Sequence, residues 1–233
     1  CSMKYKHLFS DLDRTLWGSD AHCRFTLETI YRNEALEARG IHSFEEFFKQ
    51  YNIHNDRLWE RYRNGQIKAD ELRWKRMFLS LLDFRIGDEK LARELSNQFL
   101  DMLPSRTILF PYCMEILTYL RDKGYVLHLI TNGFEKTQYS KITYSGIHHF
   151  FAEVITSEGS NSLKPHKEIF DYAFQRAKAL PEHSIMIGDS IEADIKGAIN
   201  AGIDQVFVNH LNIEADVKPT YTVHSLKELE NIF

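Results

Sequence analysis

The chain has 233 residues, 43% hydrophobic and 27% charged, the make-up of an ordinary globular protein long enough to bury a substantial core. Its 33 acidic side chains outnumber 29 basic ones for a net charge of −4, so no global positive field exists to gather nucleic-acid polymers or anionic lipid. No apolar run approaches the ~20 residues of a membrane-spanning helix, and Cys1, Cys23 and Cys113 lack the spacing of a disulfide framework or a thiolate zinc site, so a cytoplasmic home without membrane partners is expected.

In chain order, the apolar run from Tyr5 to Ser10 predicts a buried strand that ends at Asp11. Residues 17–105 hold no convincing strand but several amphipathic stretches, with a capping box at Ser43 and Glu46, stops at Gly40 and Gly65, and Pro104 closing the segment. Pro111 opens a helix with apolar positions at Cys113, Ile116, Leu117 and Leu120, and Gly124 ends it. A second strand, Val126 to Ile130, runs into Thr131-Asn132-Gly133, and a third covers Glu153 to Ile155. Pro165 opens a helix whose Ile169, Phe170, Ala173 and Phe174 share one face. Strands at Ile185 to Ile187, before Gly188-Asp189, and at Gln205 to Val208 follow, with a capping box at Ser225 and Glu228 ahead of a last helix.

Strands alternating with helices of this length indicate an α/β fold, a Rossmann-like doubly wound parallel sheet. The helical stretch is then expected to be an inserted cap at 17–105, with a catalytic core of 3–16 and 106–233; Met3 would make a natural start, and no secretory leader is expected. In such a sheet ligands bind beyond the carboxyl ends of the strands, where strand order reverses. Asp11 and Asp13, Thr131 and Asn132, and Asp189 occupy those ends, and Lys164 stands just before a helix that can face the same edge.

Carboxylates at i and i+2 project to one side of an extended chain, and a third from another strand end makes a cluster that is costly without a cation. Oxygen donors without histidine or cysteine suit Mg²⁺ better than zinc. A lysine and a threonine hydroxyl opposite the metal supply the point charge and the donor that a phosphoryl group requires.

Asp11-Leu12-Asp13-Arg14-Thr15, Thr131-Asn132-Gly133, Lys164-Pro165 and Gly188-Asp189-Ser190 through Asp194 resemble the ordered motifs of the haloacid dehalogenase superfamily of phosphohydrolases, whose helical cap is similar to the insertion after the first motif. Leu58-Trp59, Asn64-Gly65 and Ile67, the stretch from Lys164 to Ala173, and Asp189 through Asn200-Ala201-Gly202 are similar to bacterial pyrimidine 5′-nucleotidases. The resemblance implies a Mg²⁺-dependent hydrolase of small phosphate monoesters, monomeric or homodimeric. In it Asp11 is the nucleophile that forms an aspartyl-phosphate and Asp13 the general acid and base. Asp11, Asp189 and Asp13, the last through its carbonyl, would hold the metal; Thr131, Asn132 and Lys164 would hold the phosphoryl group. Thr15 and Asp194 would support these groups from behind, and Arg14, where the wider superfamily commonly has glycine, and Trp59 are candidates for substrate selection.

Other outcomes have their own signatures. A sugar phosphatase or phosphomutase of the same superfamily would share every motif, and a phosphate-sensing module would need the fold without both Asp11 and Asp13. No GxGxxG follows the first strand, which disfavours a dinucleotide-binding dehydrogenase. Trp59, Tyr62, Trp74 and Phe78 read first as the insertion's own core, His148-His149 as a solvated helix end, and Cys23 and Cys113 as packing residues.

Overall fold

The computed structural model describes residues 3–106 and 108–233. The chain divides into two compact units, Cys1–Ser19 with Thr107–Phe233, and Asp20–Arg106. Trp17, Gly18 and Ser19, assigned to the insertion from sequence, stand in the first unit, and Arg106 in the second. Trp17 is the physical reason: it bridges to Asp13 and to Leu109, and Phe110 donates to the Leu16 carbonyl, so the outgoing and returning chains are zipped together at that point.

The first unit is built on six parallel strands, β1 (His7–Ser10), β2 (Val126–Thr131), β3 (Phe151–Thr156), β4 (Ser184–Gly188), β5 (Asp204–Val208) and β6 (Tyr221–Val223), in the order β3-β2-β1-β4-β5-β6. The chain winds outward from β1 to β3, returns to β4 beside β1, and winds outward the other way. Strand order therefore reverses between β1 and β4, which is where the carboxyl ends of an open sheet leave a crevice. In register, His7 to Ser10 face Val126 to Leu129 on one side and Ser184 to Ile187 on the other.

Period-two alternation divides β1 between two cores. Phe9 packs with Ile130, Ile155 and Met186 against Ile169, Phe170 and Phe174 of α8 (Lys167–Ala177) and Ala198 of α9 (Lys196–Ala201). Leu8 and Leu127 line a small void with Ile116, Leu117 and Leu120 of α5 (Cys113–Asp122). The sheet is thus covered by helices on both faces, as expected of continuous apolar strands. Each predicted strand is present; β6 was not foreseen, because three residues of which one is exposed carry no periodic signal. α5 and α8 begin two residues after the prolines expected to open them, with Tyr112 and His166 at the N-cap positions, and the Ser225–Glu228 capping box opens a final 3₁₀ turn.

The second unit consists of helices: α1 (Ser19–Asn33), α2 (Phe44–Arg63), α3 (Ala69–Leu82) and α4 (Glu89–Met102), with α1 beginning one residue before the division. Ser43 caps α2 by accepting from the Glu46 amide at 3.2 Å, as its spacing predicted, and Asp88 caps α4 through the Leu91 amide at 3.0 Å. Leu27, Ile30, Phe47, Leu72, Leu81 and Leu95 are buried in its interior. Tyr62 is buried, whereas Trp59, edge-on to it, and Trp74 and Phe78, paired with each other, stay half-exposed. No helix of the described residues is long and apolar enough to cross a membrane.

Candidate active site at the carboxyl edge of the sheet

Asp11 follows β1, Asp189 follows β4, and Asp194 lies in the π-helical turn Ile191–Ile195 beyond it. The loop takes this course because Ser190 caps the turn through the Ala193 amide at 3.1 Å, while Asp194 Oδ2 accepts from the Ser190 amide at 3.0 Å. Asp194 is thereby folded back against Gly188. A Cβ at position 188 would lie 2.2 Å from Asp194 Oδ2, so only glycine ends β4 without evicting that carboxylate.

Oxygens of Asp11, Asp189 and Asp194 lie within 4.8 Å of one another. Lys164, 2% exposed, answers them with a single ammonium, 3.0 Å from Asp11 Oδ1 and 2.6 Å from Asp194 Oδ1. Asn132 sets the Lys164 backbone from the end of β2: its side-chain oxygen accepts from the Lys164 amide at 2.7 Å and its nitrogen donates to the Lys164 carbonyl at 3.0 Å. Thr15 donates to Asp189 Oδ1 at 2.9 Å, and His210, stacked on Phe110, lies 3.1 Å from the Thr15 carbonyl.

Burial, then the charge of Asp194, raise the Asp11 carboxyl well above the ordinary range, with Lys164 opposing and Asp189 and Asp13 adding to the rise. The Asp189 carboxyl is pushed up to about 6 by burial and by Asp194, against the hydrogen bond from Thr15. Burial works against the charge on Lys164, but Asp11 and Asp194 overcome it and raise its pKa. Burial and the neighbouring acids thus oppose ionisation of Asp11 and Asp189, and a divalent cation would relieve that conflict. The donor set, oxygen only, fits a hard cation such as Mg²⁺.

The Asp13 carboxylate does not join the cluster of three acids that the i, i+2 spacing suggested, and Asp194, expected to give support from behind, has an oxygen in that cluster while also meeting Lys164. The i, i+2 geometry of an extended chain is lost because the chain turns at once after β1. Leu12 O accepts from the Leu16 and Trp17 amides, and Arg14 takes a left-handed conformation with φ 64°. The Asp13 carboxylate instead meets α6 (Glu135–Tyr144), with Lys141 Nζ 2.8 Å from Oδ1 and Gln138 Nε2 3.0 Å from Oδ2. Burial alone would raise this carboxyl, yet Lys141, Gln138 and Arg14 together hold it below the usual range.

Thr131 closes the site at the end of β2. Its hydroxyl oxygen accepts from the Gly133 amide at 3.1 Å and from Gln138 Nε2 at 2.6 Å, which fills both lone pairs and leaves the O–H to donate outward. Gln138 and Lys141 were missed in the sequence. Each is a single polar residue on a helix, and only their i, i+3 spacing behind Thr131-Asn132-Gly133 marks them. Arg14 is exposed beside these groups; Trp59 belongs to the helical unit.

Residues 5–202 match the family described as haloacid dehalogenase-like hydrolase. The chain is 32% identical to the pyrimidine 5′-nucleotidase YjjG of Escherichia coli, over 99% of this chain and 98% of that one. It is 30% identical to the pyrimidine 5′-nucleotidase PynA of Streptococcus pneumoniae, over 97% and 94%. Among solved structures, the magnesium-bound HAD-hydrolase YfnB of Bacillus subtilis superposes with a TM-score of 0.89 at 28% identity, covering 99% of each chain.

Proposed function

We propose that this chain, which belongs to the haloacid dehalogenase-like hydrolases, is a Mg²⁺-dependent phosphomonoesterase that acts on nucleoside 5′-monophosphates. The observation that carries the proposal is the meeting of Asp11, Lys164 and the Asp189–Asp194 pair at the reversal of strand order, with Asp13 and Thr131 beside them. The preference for pyrimidine nucleotides draws on YjjG and PynA, which resemble this chain over nearly its whole length.

In this mechanism an Asp11 oxygen attacks phosphorus while the ester P–O bond breaks. Its electron pair leaves with the nucleoside oxygen, which takes a proton from Asp13; ionised in the free enzyme beside Lys141, Gln138 and Arg14, Asp13 takes up that proton from solvent as the negative charge of the phosphate arrives beside it. Asp13, now a carboxylate, removes a proton from water as that water attacks the aspartyl-phosphate. The Asp11–phosphorus bond breaks, phosphate departs, and both carboxyl groups return to their starting state. Thr131 O–H, the Asn132 amide and Lys164 hold the phosphoryl oxygens, and the positive charge of Lys164 offsets charge that builds in the transition state. Asp11 and Asp189, with the Asp13 carbonyl, would hold Mg²⁺, which when bound supplies Lewis-acid stabilisation of the phosphoryl oxygens. Asp194, both of whose oxygens are already hydrogen-bonded, holds Lys164 in place.

The insertion of residues 20–106 occupies the sequence position of a cap, and we assign it, with Trp59, and the exposed Arg14 to selection of the leaving group. The experiment is phosphate release from a panel of nucleoside monophosphates, sugar phosphates and small esters with Mg²⁺. Highest kcat/KM on pyrimidine monophosphates is expected; a uniformly higher value on sugar phosphates would overturn the substrate assignment.

A further inference from the structure

We propose that Gln138 and Lys141 are positioning residues for turnover, which together fix the Asp13 carboxylate and tie it to the Thr131 hydroxyl. This rests on the assignment of Asp13 as acid and base. Each carboxylate oxygen has its own donor: Lys141 Nζ on Oδ1 at 2.8 Å, and Gln138 Nε2 on Oδ2 at 3.0 Å. Two donors on two oxygens stop rotation of the carboxylate. An ionised carboxylate has about four lone-pair sites, so each oxygen keeps one free for proton exchange.

The same Gln138 nitrogen is 2.6 Å from Thr131 Oγ1. One side chain therefore spans the group that handles protons and the group that holds the phosphoryl oxygens. Both partners are held rigidly. Lys141 and Gln138 are 5% and 1% exposed, and the Lys141 ammonium lies 4.6 Å from the centroid of the buried Trp17 ring.

Two further observations point to constraint rather than convenience. A Cβ on Gly133 would fall 2.3 Å from Gln138 Cδ, so the glycine in the turn after β2 makes the room this side chain occupies. Gln138 Oε1 is buried without a hydrogen-bond partner, a cost an apolar residue would avoid. Turning the amide over would set that oxygen against a carboxylate that can only accept, so the donor orientation is fixed.

The test uses full-length variants and two esters of different leaving group, a pyrimidine nucleoside monophosphate and 4-nitrophenyl phosphate, with Mg²⁺. Their kcat/KM values report the steps up to departure of the leaving group. Nitrophenolate leaves without a proton, whereas a nucleoside alkoxide needs one from a well-placed Asp13. Lys141→Met and Gln138→Leu are expected to lower kcat/KM about 100-fold on the nucleotide but less than about 5-fold on the aryl ester. Lys141→Arg, which keeps a charged donor, is expected to recover at least about 10-fold of that loss. If Lys141→Met does not fold, Gln138→Leu decides by the same comparison. An equal fall on both esters, or no fall, would overturn the positioning role. A wild-type protein inactive on both esters would instead overturn the phosphatase assignment on which it rests.

Discussion

Lys164 stands 3.0 Å from Asp11 and 2.6 Å from Asp194, so one buried ammonium serves a proposed nucleophile and a structural carboxylate at once. Asp194 is 0% exposed, and Lys164→Ala strands its charge in the interior. Removing one partner of a buried pair costs about 3–5 kcal/mol, so Lys164→Ala is expected to lower Tm by several degrees as well as abolish phosphate release. Thermal unfolding beside a turnover assay checks both.

Gly188 tests the same contact from the backbone side. Gly188→Ala places a methyl 2.2 Å from Asp194 Oδ2, so the carboxylate or the strand end must shift. A loss of about 1–3 kcal/mol is expected from urea unfolding. Because Lys164 would be displaced with Asp194, kcat is expected to fall by at least about 10-fold.

Arg14 carries backbone strain in the catalytic loop, with φ at 64°. The left-handed region costs an ordinary residue about 1–2 kcal/mol, of which glycine's greater freedom when unfolded returns about 0.5–1 kcal/mol. Arg14→Gly is thus expected to raise Tm by roughly 2–4 °C. If Arg14 also meets substrate, KM for nucleoside monophosphates should rise in the same variant. Calorimetry and steady-state kinetics separate the two effects.

On β1 and β2, away from the catalytic edge, His7 Nδ1 and His128 Nε2 lie 2.9 Å apart in the sheet's interior. Burial first, and the charge of His7 second, depress His128 to about 4. Its pKa when unfolded is near 6.5, so between these values the unfolded chain binds more protons than the native one. Stability from this pair is complete above pH 6.5 and is lost as pH falls toward 4. The effect amounts to on the order of 3 kcal/mol. His128→Leu is expected to lose less Tm than wild type between pH 7.5 and 4.5; equal losses would contradict the assignment.

The sheet was legible because Leu8-Phe9, Leu127 to Ile130 and Ile185 to Ile187 are unbroken apolar runs, each stopped by a polar residue at its carboxyl end. The same logic found Asp11, Thr131 and Asp189, since polar residues at strand ends are where an open α/β sheet keeps its chemistry. The direction of the Asp13 side chain was not legible, because it depends on a turn at Arg14 and on donors 125 and 128 residues away in sequence. Asp194 keeps the supporting role expected of it, but its position was not legible, because whether an acid early in a helix faces solvent or folds back on the strand depends on Gly188 and Ser190. Gln138 and Lys141 were invisible as single polar letters. Their meaning comes from the packing of α6 beside the first loop.

The most direct test of the central claim is phosphate release from a pyrimidine nucleoside monophosphate by wild type and Asp11→Asn, each assayed with Mg²⁺ and with EDTA. Wild type is expected to turn over with Mg²⁺ and not with EDTA. Asp11→Asn is expected to fold normally and to lose at least about 10⁴-fold in kcat. Turnover by Asp11→Asn at a rate near wild type, or equal wild-type rates with and without the metal, would contradict the account.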